Sequence, residues 1–329
     1  KNMRKIKWGV LGAAAICERS TFAGMQQAEN CLLYAIASRD LKKAEQFQQK
    51  YGFQKAYGSY EALLADSQVE AVYIPLPNHL HYEWSIKAMQ KGKHVLCEKP
   101  LTGSEQQARE MFAVAKQHNV FLMEAFAYLH SPFIAALQQE IASGSIGELR
   151  FVKSSFYISV PSSDNIRMYR DMLGGSVYDL GVYSSSLILS LIEGEPRNVK
   201  AIASFNEAGV DILASVILEY ADGVKAGFGC GMILEEGRDG RSDHFAIYGS
   251  KGYISSSNFT FNGDGQLEYT LHRYDGDTES KRVSCPQNYR LEVEQLGRCA
   301  AGEATPAVSA EFSLRNARLI DRILEAIDY

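Results

Sequence analysis

The feature that most constrains this fold is an alternation of short apolar runs with helix-period segments over residues 1–123. In the segment 104–118, for example, apolar side chains recur at helical spacing at Ala108, Met111, Phe112 and Ala115. Strands that alternate with helices imply βαβ units and a parallel sheet, and strands that are apolar throughout are typical of a sheet covered on both faces. The apolar runs are residues 6–11, 32–37, 71–74, 94–97 and 120–123.

The pattern changes near residue 130, and from Gly147 the chain has longer segments of alternating apolar and polar residues. Turn signals such as Ala221-Asp222-Gly223 separate these segments, which indicates an antiparallel sheet. The predicted strands are 148–159, 199–206, 211–220, 224–232 and 244–249, with helices at 133–143, 176–191, 289–301 and 310–327. We therefore predict an α/β protein with a doubly wound, dinucleotide-binding domain over 1–124 and an α+β domain with an open, mainly antiparallel sheet over 125–329.

The composition, with 46% apolar and 22% charged residues, is typical of a soluble globular enzyme. A net charge of -5 gives no general attraction to nucleic acid, and no apolar run approaches the roughly 18 residues that span a membrane. Residues 1–7 lack the apolar core of a signal peptide, and the six scattered cysteines favour reduced thiols, so we expect a cytoplasmic protein. No cluster has metal-ligand spacing, so no metal is predicted.

The first predicted strand ends in a turn that fits the Gly-x-Gly-x-x-Gly fingerprint, with Ala14 and Cys17 in place of the second and third glycines. Gly12 permits the tight turn, and the following helix N-terminus offers N–H groups to a pyrophosphate. The alternative is close strand–helix packing without a ligand, but the strand before and the helix after the turn favour a cofactor. We predict that Gly12, Ala14, Ala15 and Ile16 bind it.

The end of the second strand favours NADP over NAD. NAD sites have an acidic residue about 20 residues past the glycines, whereas here the strand is followed by Ser38-Arg39-Asp40. Ser38 can donate a hydrogen bond, and Arg39 can pair with a 2′-phosphate or stack on adenine. The alternative is a solvated Arg39 at the start of the next helix, with Asp40 as its N-cap.

Residues after the strand 71–74 are also predicted to contact the cofactor, because that strand borders the switch point of a doubly wound sheet. The candidates are Pro75, Leu76, Asn78 and His81. Asn78 is equally well explained as a helix cap, and a histidine in the position of His81 is more often a surface residue.

The strand 94–97 ends on Glu98-Lys99-Pro100, and ligands of such sheets bind beyond the carboxyl ends of the strands. A desolvated lysine can hydrogen-bond a reacting oxygen and stabilise negative charge, so Lys99 is the first catalytic candidate, with Glu98 beside the cofactor.

Asp179 and Tyr183 are spaced i, i+4 on a predicted helix and share one face. If Tyr183 lies near Lys99, it would act as an acid or base that Asp179 orients. The alternative for Lys99 is a surface ion pair with Glu98, and the alternative for Tyr183 is a structural contact between domains.

Together these residues resemble the glucose-fructose oxidoreductase / inositol dehydrogenase / MocA oxidoreductase family over essentially the whole chain. The shared motifs are the degraded glycine turn, Ser38-Arg39, Pro75-Leu76-Pro77-Asn78, Glu98-Lys99-Pro100 and the Gly-Gly-x-x-Tyr-Asp-x-Gly-x-Tyr of residues 174–183. The resemblance implies an N-terminal Rossmann domain and a C-terminal sheet that forms homodimers or homotetramers. It implies catalysis by Lys99 with Asp179 and Tyr183, and places Arg167 and Tyr289 among the cofactor and cleft residues.

Tyr183 indicates which branch of the family this chain resembles. Many family members have histidine at this position, whereas a tyrosine is similar to the dihydrodiol and xylose dehydrogenase branch, which tends to use NADP. Residues 129–132, Leu-His-Ser-Pro, depart from the usual Arg-Phe-His-Pro-like sequence. The predicted function is an NADP-dependent dehydrogenase or reductase, with NAD as the alternative cofactor, acting on a sugar, cyclitol or vicinal diol while Lys99 and Tyr183 handle the proton. The alternatives are a non-catalytic NADP-sensing protein and an NAD-assisted glycosidase on the same fold.

Overall fold

Strands and helices alternate in the first part of the chain, as predicted; the computed structural model describes residues 4–235 and 240–329. The strand β3 lies outside the predicted apolar runs because it has three residues and none is fully buried. In chain order the elements are β1 (Ile6–Leu11), α1 (Ala15–Arg19), α2 (Thr21–Gln27), β2 (Cys31–Ala37), α3 (Leu41–Tyr51), β3 (Lys55–Tyr57), α4 (Tyr60–Ala65), β4 (Ala71–Ile74), α5 (His81–Gln90), β5 (His94–Glu98), α6 (Glu105–Gln117) and β6 (Leu122–Ala125).

The rest of the chain consists mainly of strands, with helices at both ends and one in the middle. They are α7 (Pro132–Ala142), β7 (Leu149–Ser159), a π-helical turn (Val177–Gly181), α8 (Val182–Leu191), β8 (Asn198–Phe205), β9 (Asp211–Glu219), β10 (Lys225–Leu234), β11 (Arg241–Gly249), β12 (Gly252–Ser255), β13 (Gly265–Arg273), β14 (Thr278–Cys285), α9 (Asn288–Ala300) and α10 (Ala310–Ala326). The predicted helix 176–191 is therefore a π-helical turn followed by an α-helix.

The chain forms two compact units, of which the first contains residues up to His130 together with Gln287–Leu314. Its six-stranded sheet has the order β3-β2-β1-β4-β5-β6, and its strand pairs are parallel. The strand order reverses between β1 and β4, which is the switch point of a doubly wound sheet. The predicted architecture of this unit is confirmed.

The helix α9 belongs to the first unit and packs against α2. Asn30 donates a side-chain hydrogen bond of 2.8 Å to the carbonyl oxygen of Glu294. A Cβ atom on Gly24 would lie 2.6 Å from the backbone nitrogen of Arg290, so a glycine is required for the two helices to approach this closely. The predicted single boundary after residue 124 thus differs from the structure, because Gln287–Leu314 returns to the first unit.

The second unit comprises Ser131–Pro286 and Arg315–Tyr329 and contains an eight-stranded sheet. The strand order is β14-β13-β12-β11-β7-β10-β9-β8, and the pairs are antiparallel except β7 with β10. The helix α8 packs against β7 and β10, and a 2.9 Å hydrogen bond joins the buried hydroxyls of Ser154 and Ser184. The predicted mainly antiparallel sheet is confirmed.

Candidate active site

The turn after β1 has the geometry that the glycine fingerprint requires. Gly12 has a φ of +117°, a conformation that side chains disfavour, and its N–H donates a 2.9 Å hydrogen bond to the carbonyl oxygen of Ala37. A Cβ atom on Gly12 would also lie 3.1 Å from Leu76 Cδ2, so the turns after β1 and β4 lie against each other. Ala15 and Ile16 are exposed in the first turn of α1, where a ligand can reach them.

The end of β2 presents a cation, Arg39, followed by an acidic residue that caps the next helix. Asp40 caps α3 by accepting a 3.0 Å hydrogen bond from the N–H of Lys42, as the alternative explanation of this residue expected. Ser38 is buried, and its hydroxyl accepts the N–H of Asp40 at 3.2 Å. Arg39 is exposed and lies near Tyr60; burial raises the pKa of Tyr60, and the charge of Arg39 acts in the opposite direction. Tyr60 was missed by sequence reasoning because it lies 21 residues after Arg39.

The turn after β4 contains the predicted residues Pro75, Leu76 and Asn78, and a short 3-10 turn begins at Asn78. His81 is 0% exposed, with its Nδ1 2.7 Å from the carbonyl oxygen of Pro100 and its Nε2 2.8 Å from that of Leu76. A side chain enclosed in this way has no surface for a ligand. The prediction that His81 contacts the cofactor is therefore wrong. His81 instead lies in the interior and supports the turns after β4 and β5.

Lys99 lies at the carboxyl end of β5, as predicted, and its side chain is half-buried. The preceding residue, Glu98, accepts a 2.7 Å hydrogen bond from the hydroxyl of Tyr73, which also lies 2.9 Å from the hydroxyl of Thr21. Burial raises the pKa of Tyr73 well above its ordinary value, so this phenol stays protonated and donates to Glu98. A chain of hydrogen bonds thus links the residue next to Lys99 to α2.

Two buried carboxyl groups near Lys99 and Glu98 were not predicted. Glu124 accepts a 2.9 Å hydrogen bond from the N–H of Leu101, and burial raises its pKa to about 7. Glu292 on α9 is 0% exposed, and its carboxyl oxygens have no hydrogen-bond partner within the described ranges. Burial raises its pKa well above the ordinary value, and the charge of Glu98 acts in the same direction. Burial of Glu292 thus favours the neutral form of a carboxyl group that lies close to Glu98.

Tyr289 lies in the first turn of α9 and is partly exposed, in the same unit as the residues of the predicted cofactor site. Its backbone packs against Gly24 on α2, where a Cβ atom would lie 2.7 Å from the carbonyl carbon of Tyr289. Tyr289 thus belongs to the first unit, although the residues that precede Gln287 belong to the second.

In the second unit, Asp179 forms an ion pair with Arg167, whose Nε lies 2.6 Å from the Asp179 carboxylate. The charge of Asp179 raises the pKa of Arg167, and that of Tyr183 contributes in the same direction. Asp179 lies in the π-helical turn and Tyr183 in α8, so the predicted α-helical i, i+4 relation holds only in part. The sequence identified all three residues, and the assignment of Arg167 to the cofactor cleft stays a prediction.

A buried acid fixes the start of the helical segment that carries Asp179. Asp211 is 0% exposed and accepts hydrogen bonds from the hydroxyl of Ser176 at 2.6 Å and the N–H of Val177 at 2.8 Å. Burial raises its pKa to about 6. The N–H of Gly175 donates to the carbonyl oxygen of Arg167 at 2.9 Å, which ties the two halves of the Arg167–Asp179 pair together. Asp211 was missed because it begins a strand distant in sequence.

The hydroxyl of Tyr183 has an amide neighbour that the sequence did not reveal. Asn262 donates from its Nδ2 to this hydroxyl at 3.3 Å, and it belongs to a segment that was interpreted only as a turn. The rings of Phe156 and Phe261 lie 5.4 and 5.1 Å from the Tyr183 ring. In this contact the amide is the donor and the Tyr183 hydroxyl oxygen is the acceptor.

The described ranges hold neither a metal-binding cluster nor a helix that could span a membrane. No group of three His, Cys, Asp or Glu side chains there is arranged to hold a metal ion. No described helix combines the length and the apolar character needed to cross a bilayer. All six cysteines are free thiols with buried side chains.

Relatives of known activity match nearly the whole chain. D-xylose 1-dehydrogenase (NADP(+)) 2 of Haloferax volcanii is 36% identical over 324 residues, which covers 98% of this chain and 97% of that protein. Trans-1,2-dihydrobenzene-1,2-diol dehydrogenase of Xenopus laevis is 30% identical, with 98% of both chains covered. The crystal structure of KijD10, a 3-ketoreductase from Actinomadura kijaniata in complex with NADP and TDP-benzene, superposes with a TM-score of 0.91 at 30% identity and 98% coverage of both chains.

Two family models match the two parts of the chain. The oxidoreductase family with an NAD-binding Rossmann fold matches residues 6–126, and the GFO/IDH/MocA C-terminal domain matches residues 134–255. The resemblance inferred from the motifs is confirmed. This chain is a member of the Gfo/Idh/MocA oxidoreductase family.

Proposed function

We propose that this protein is an oxidoreductase acting on a secondary alcohol or carbonyl group of a sugar, cyclitol or vicinal diol, with NADP as its cofactor. The observation that carries the proposal is the position of Lys99, half-buried at the carboxyl end of β5, in the half of the sheet beyond the switch point. Ligands of doubly wound sheets bind at that edge. The relatives whose names state an activity act on a sugar or a diol, which supports the substrate class.

The residues of the first unit fit a dinucleotide. Gly12 forms a turn with a φ of +117° directly after β1, and Arg39 is exposed at the carboxyl end of β2. Asp40, the acidic residue nearest to the ribose position, caps α3 instead, which supports NADP over NAD. When bound, NADP supplies or accepts the hydride, while the protein provides position and electrostatics. Gly12 and Ala14–Ile16 would hold the pyrophosphate, and Arg39 the 2′-phosphate.

The proton is handled by Lys99 and Tyr183. Lys99 can donate a hydrogen bond to the reacting oxygen and stabilise its negative charge as the carbonyl is reduced. The Tyr183 hydroxyl, which accepts a hydrogen bond from Asn262, would exchange a proton with the reacting oxygen. Asp179 acts through Arg167, which it holds in place near Tyr183.

Net turnover of the cofactor tests the proposed function. We expect stoichiometric absorbance change at the nicotinamide band with NADP(H), and slower change with NAD(H), for a panel of D-xylose and other aldoses, inositols, keto-sugars and vicinal diols. Two outcomes would contradict the proposal. Binding of NADPH without turnover of any panel compound would indicate the sensing protein, and hydrolysis of a glycoside without net cofactor change would indicate the NAD-assisted glycosidase.

A reducing, cytoplasmic compartment is part of the proposal. Disulfides form in oxidising compartments, and the six cysteines of this chain are all unpaired and buried. Free thiols at every cysteine position support the cytoplasm.

We also propose that the open face of the second unit's sheet joins copies of this chain into a homodimer or homotetramer. Ile202 on β8 and Ile217 on β9 are 77% and 53% exposed. On the neighbouring strand β10, three alternating glycines leave the same face without side chains: Gly227, Gly229 and Gly231, which pair with Ile217, Ser215 and Leu213. Farther along the sheet, the ring of Tyr253 stacks on Tyr248 at 5.5 Å and on His272 at 4.4 Å. Apolar surface of this kind on a flat sheet is typical of an interface.

Ile217→Glu is expected to shift this protein toward smaller species, raising the dissociation constant of the assembly by about tenfold or more, because a charge would be buried in the contact. Sedimentation velocity over a range of protein concentrations measures the shift. Leu41→Glu is the matched control, because Leu41 is 46% exposed on α3 of the first unit. A wild-type monomer, or an Ile217→Glu protein that sediments like the wild type, would contradict the proposed interface.

A further inference from the structure

We propose that His81 is a positioning residue for Lys99, because its imidazole joins the turn after β5 to the turn after β4 from the interior of the first unit. The inference rests on the proposed function, in which Lys99 is the catalytic residue. His81 itself is enclosed and touches neither cofactor nor substrate, so its effect would be exerted through the backbone of the two turns.

The contacts of His81 reach both turns at hydrogen-bond distance. Its Nδ1 is 2.7 Å from the carbonyl oxygen of Pro100, the residue that directly follows Lys99. Its Nε2 is 2.8 Å from the carbonyl oxygen of Leu76, whose side chain packs at the position where Gly12 lacks a Cβ atom. One ring therefore connects the lysine turn to the turn beside the glycine fingerprint.

A second buried side chain holds the same peptide unit from its other side. The carbonyl group of Pro100 and the N–H group of Leu101 belong to one peptide bond, and Glu124 accepts that N–H at 2.9 Å. Proline has no N–H of its own, so the strand cannot continue its ladder through this position. The two polar groups of this peptide are thus bound by the side chains of His81 and Glu124, which are 0% and 3% exposed. The backbone after Lys99 is fixed by two side chains, and a substitution of either can move it.

The two contacts of His81 can be separated experimentally, because each is made by a different ring nitrogen. Burial lowers the pKa of His81 to about 4, the charge of Lys99 acts in the same direction, and the two carbonyl groups oppose the shift. A neutral imidazole carries a single N–H, which donates to Pro100 in one tautomer and to Leu76 in the other. The amide of asparagine places a donor near the Nδ1 position, and that of glutamine places one near the Nε2 position. His81→Asn therefore keeps the link to Pro100, and His81→Gln keeps the link to Leu76.

The two variants are expected to affect different steps. His81→Gln loses the link to the Lys99 turn and should lower kcat by about 10- to 100-fold, with the dissociation constant for NADPH within about threefold of the wild type. His81→Asn loses the link to Leu76 and should weaken NADPH binding by about tenfold, with kcat at saturating cofactor within about threefold. The measurements are turnover of NADP with D-xylose, or with the panel compound that reacts fastest, and quenching of NADPH fluorescence.

His94→Gln is the control for a merely structural effect. His94 lies at the amino end of β5, the strand that leads to Lys99, and its Nδ1 accepts a hydrogen bond from the N–H of Phe121 at 3.0 Å. This control should lower the Tm and leave kcat and NADPH binding unchanged. Equal changes of kcat in the two His81 variants, or variants that differ from the wild type only in Tm, would overturn the proposal.

Glu124 provides the test if the His81 variants fail to fold. Glu124→Gln keeps an amide oxygen for the N–H of Leu101 and should retain kcat within about threefold, whereas Glu124→Leu should lower it by about tenfold or more. Equal kcat in these two variants would then overturn the proposal. Lys99→Ala separates this inference from the proposed catalytic role of Lys99, because an active Lys99→Ala enzyme contradicts that role, and a wild-type enzyme without cofactor turnover contradicts the proposed function. An inactive Lys99→Ala enzyme together with wild-type kcat in both His81 variants contradicts only the positioning role.

Discussion

Lys99→Ala is expected to lower kcat by about 10²- to 10⁴-fold while the dissociation constant for NADPH stays within about threefold of the wild type. The ammonium group is lost at the reacting oxygen, but the turn after β1 and the cation at the end of β2 remain. Stopped-flow or steady-state absorbance at the nicotinamide band gives kcat, and NADPH fluorescence gives the dissociation constant. Retained turnover in Lys99→Ala would exclude Lys99 as the catalytic residue.

Two control variants, Lys93→Ala and Arg39→Ala, test whether the effect is specific to Lys99. Lys93 is buried just before β5, and its Nζ donates to the carbonyl oxygens of Asp66 and Val69 at 2.8 and 2.7 Å. Lys93→Ala should therefore destabilise the protein by about 1–3 kcal/mol without changing the kcat of the folded enzyme. Arg39→Ala should do the reverse, weakening NADPH binding and leaving kcat at saturating cofactor unchanged. A loss of kcat in all three variants would mean that Lys99→Ala reports on folding.

Tyr183→Phe is expected to lower kcat by about 10²- to 10³-fold, because the phenol proton is removed from the reaction. The Tm should change little, since phenylalanine keeps the ring contacts with Phe156 and Phe261 and gives up one 3.3 Å hydrogen bond from Asn262. The measurement is kcat against KM for the same substrate. A fall in kcat with an unchanged KM indicates a role in the reaction, and a rise in KM alone would show that Tyr183 only binds substrate.

Tyr220→Phe is the matched control for the tyrosine. Tyr220 is 3% exposed in the second unit, and its hydroxyl has no hydrogen-bond partner among the residues described for this chain. Removing a buried hydroxyl without a partner is neutral or stabilising. Tyr220→Phe should therefore retain full activity, and an equal loss of activity in both variants would contradict a specific role of Tyr183.

The sequence predicted the sheet of the first unit because that sheet is encoded locally. Apolar runs such as Ile6–Leu11 and Ala71–Ile74 are covered on both faces, so their composition reveals them without knowledge of their partners. The return of α9 to the first unit was not predicted, because it depends on contacts such as that between Asn30 and Glu294, which are 264 residues apart. Hydrophobic periodicity shows which face of a helix is buried, but it does not show which unit buries it.

The residues of the candidate site likewise include some that the sequence reveals and others that only the packing reveals. Gly12, Lys99 and Tyr183 could be identified because a strand end, a tripeptide or a motif sets them apart in sequence. Asn262 and Asp211 could not, since an asparagine in a glycine-rich turn and an aspartate at a strand start are ordinary residues until packing brings them to Tyr183 and Val177. The supporting role of His81 likewise depends on a carbonyl group 19 residues away in sequence.

The order of synthesis gives the return of α9 a biological meaning. The strands of the nucleotide-binding sheet leave the ribosome first, yet the surface of α2 around Gly24 is closed by the backbone of Arg290, near the end of the chain. At about 5–20 residues per second, the 266 residues from Gly24 to Arg290 take roughly 13 to 53 seconds to make, and the surface stays open for that time. A nascent or C-terminally shortened chain therefore presents an incomplete nucleotide-binding half to chaperones and proteases, and the whole chain must be made before its first-made part is finished.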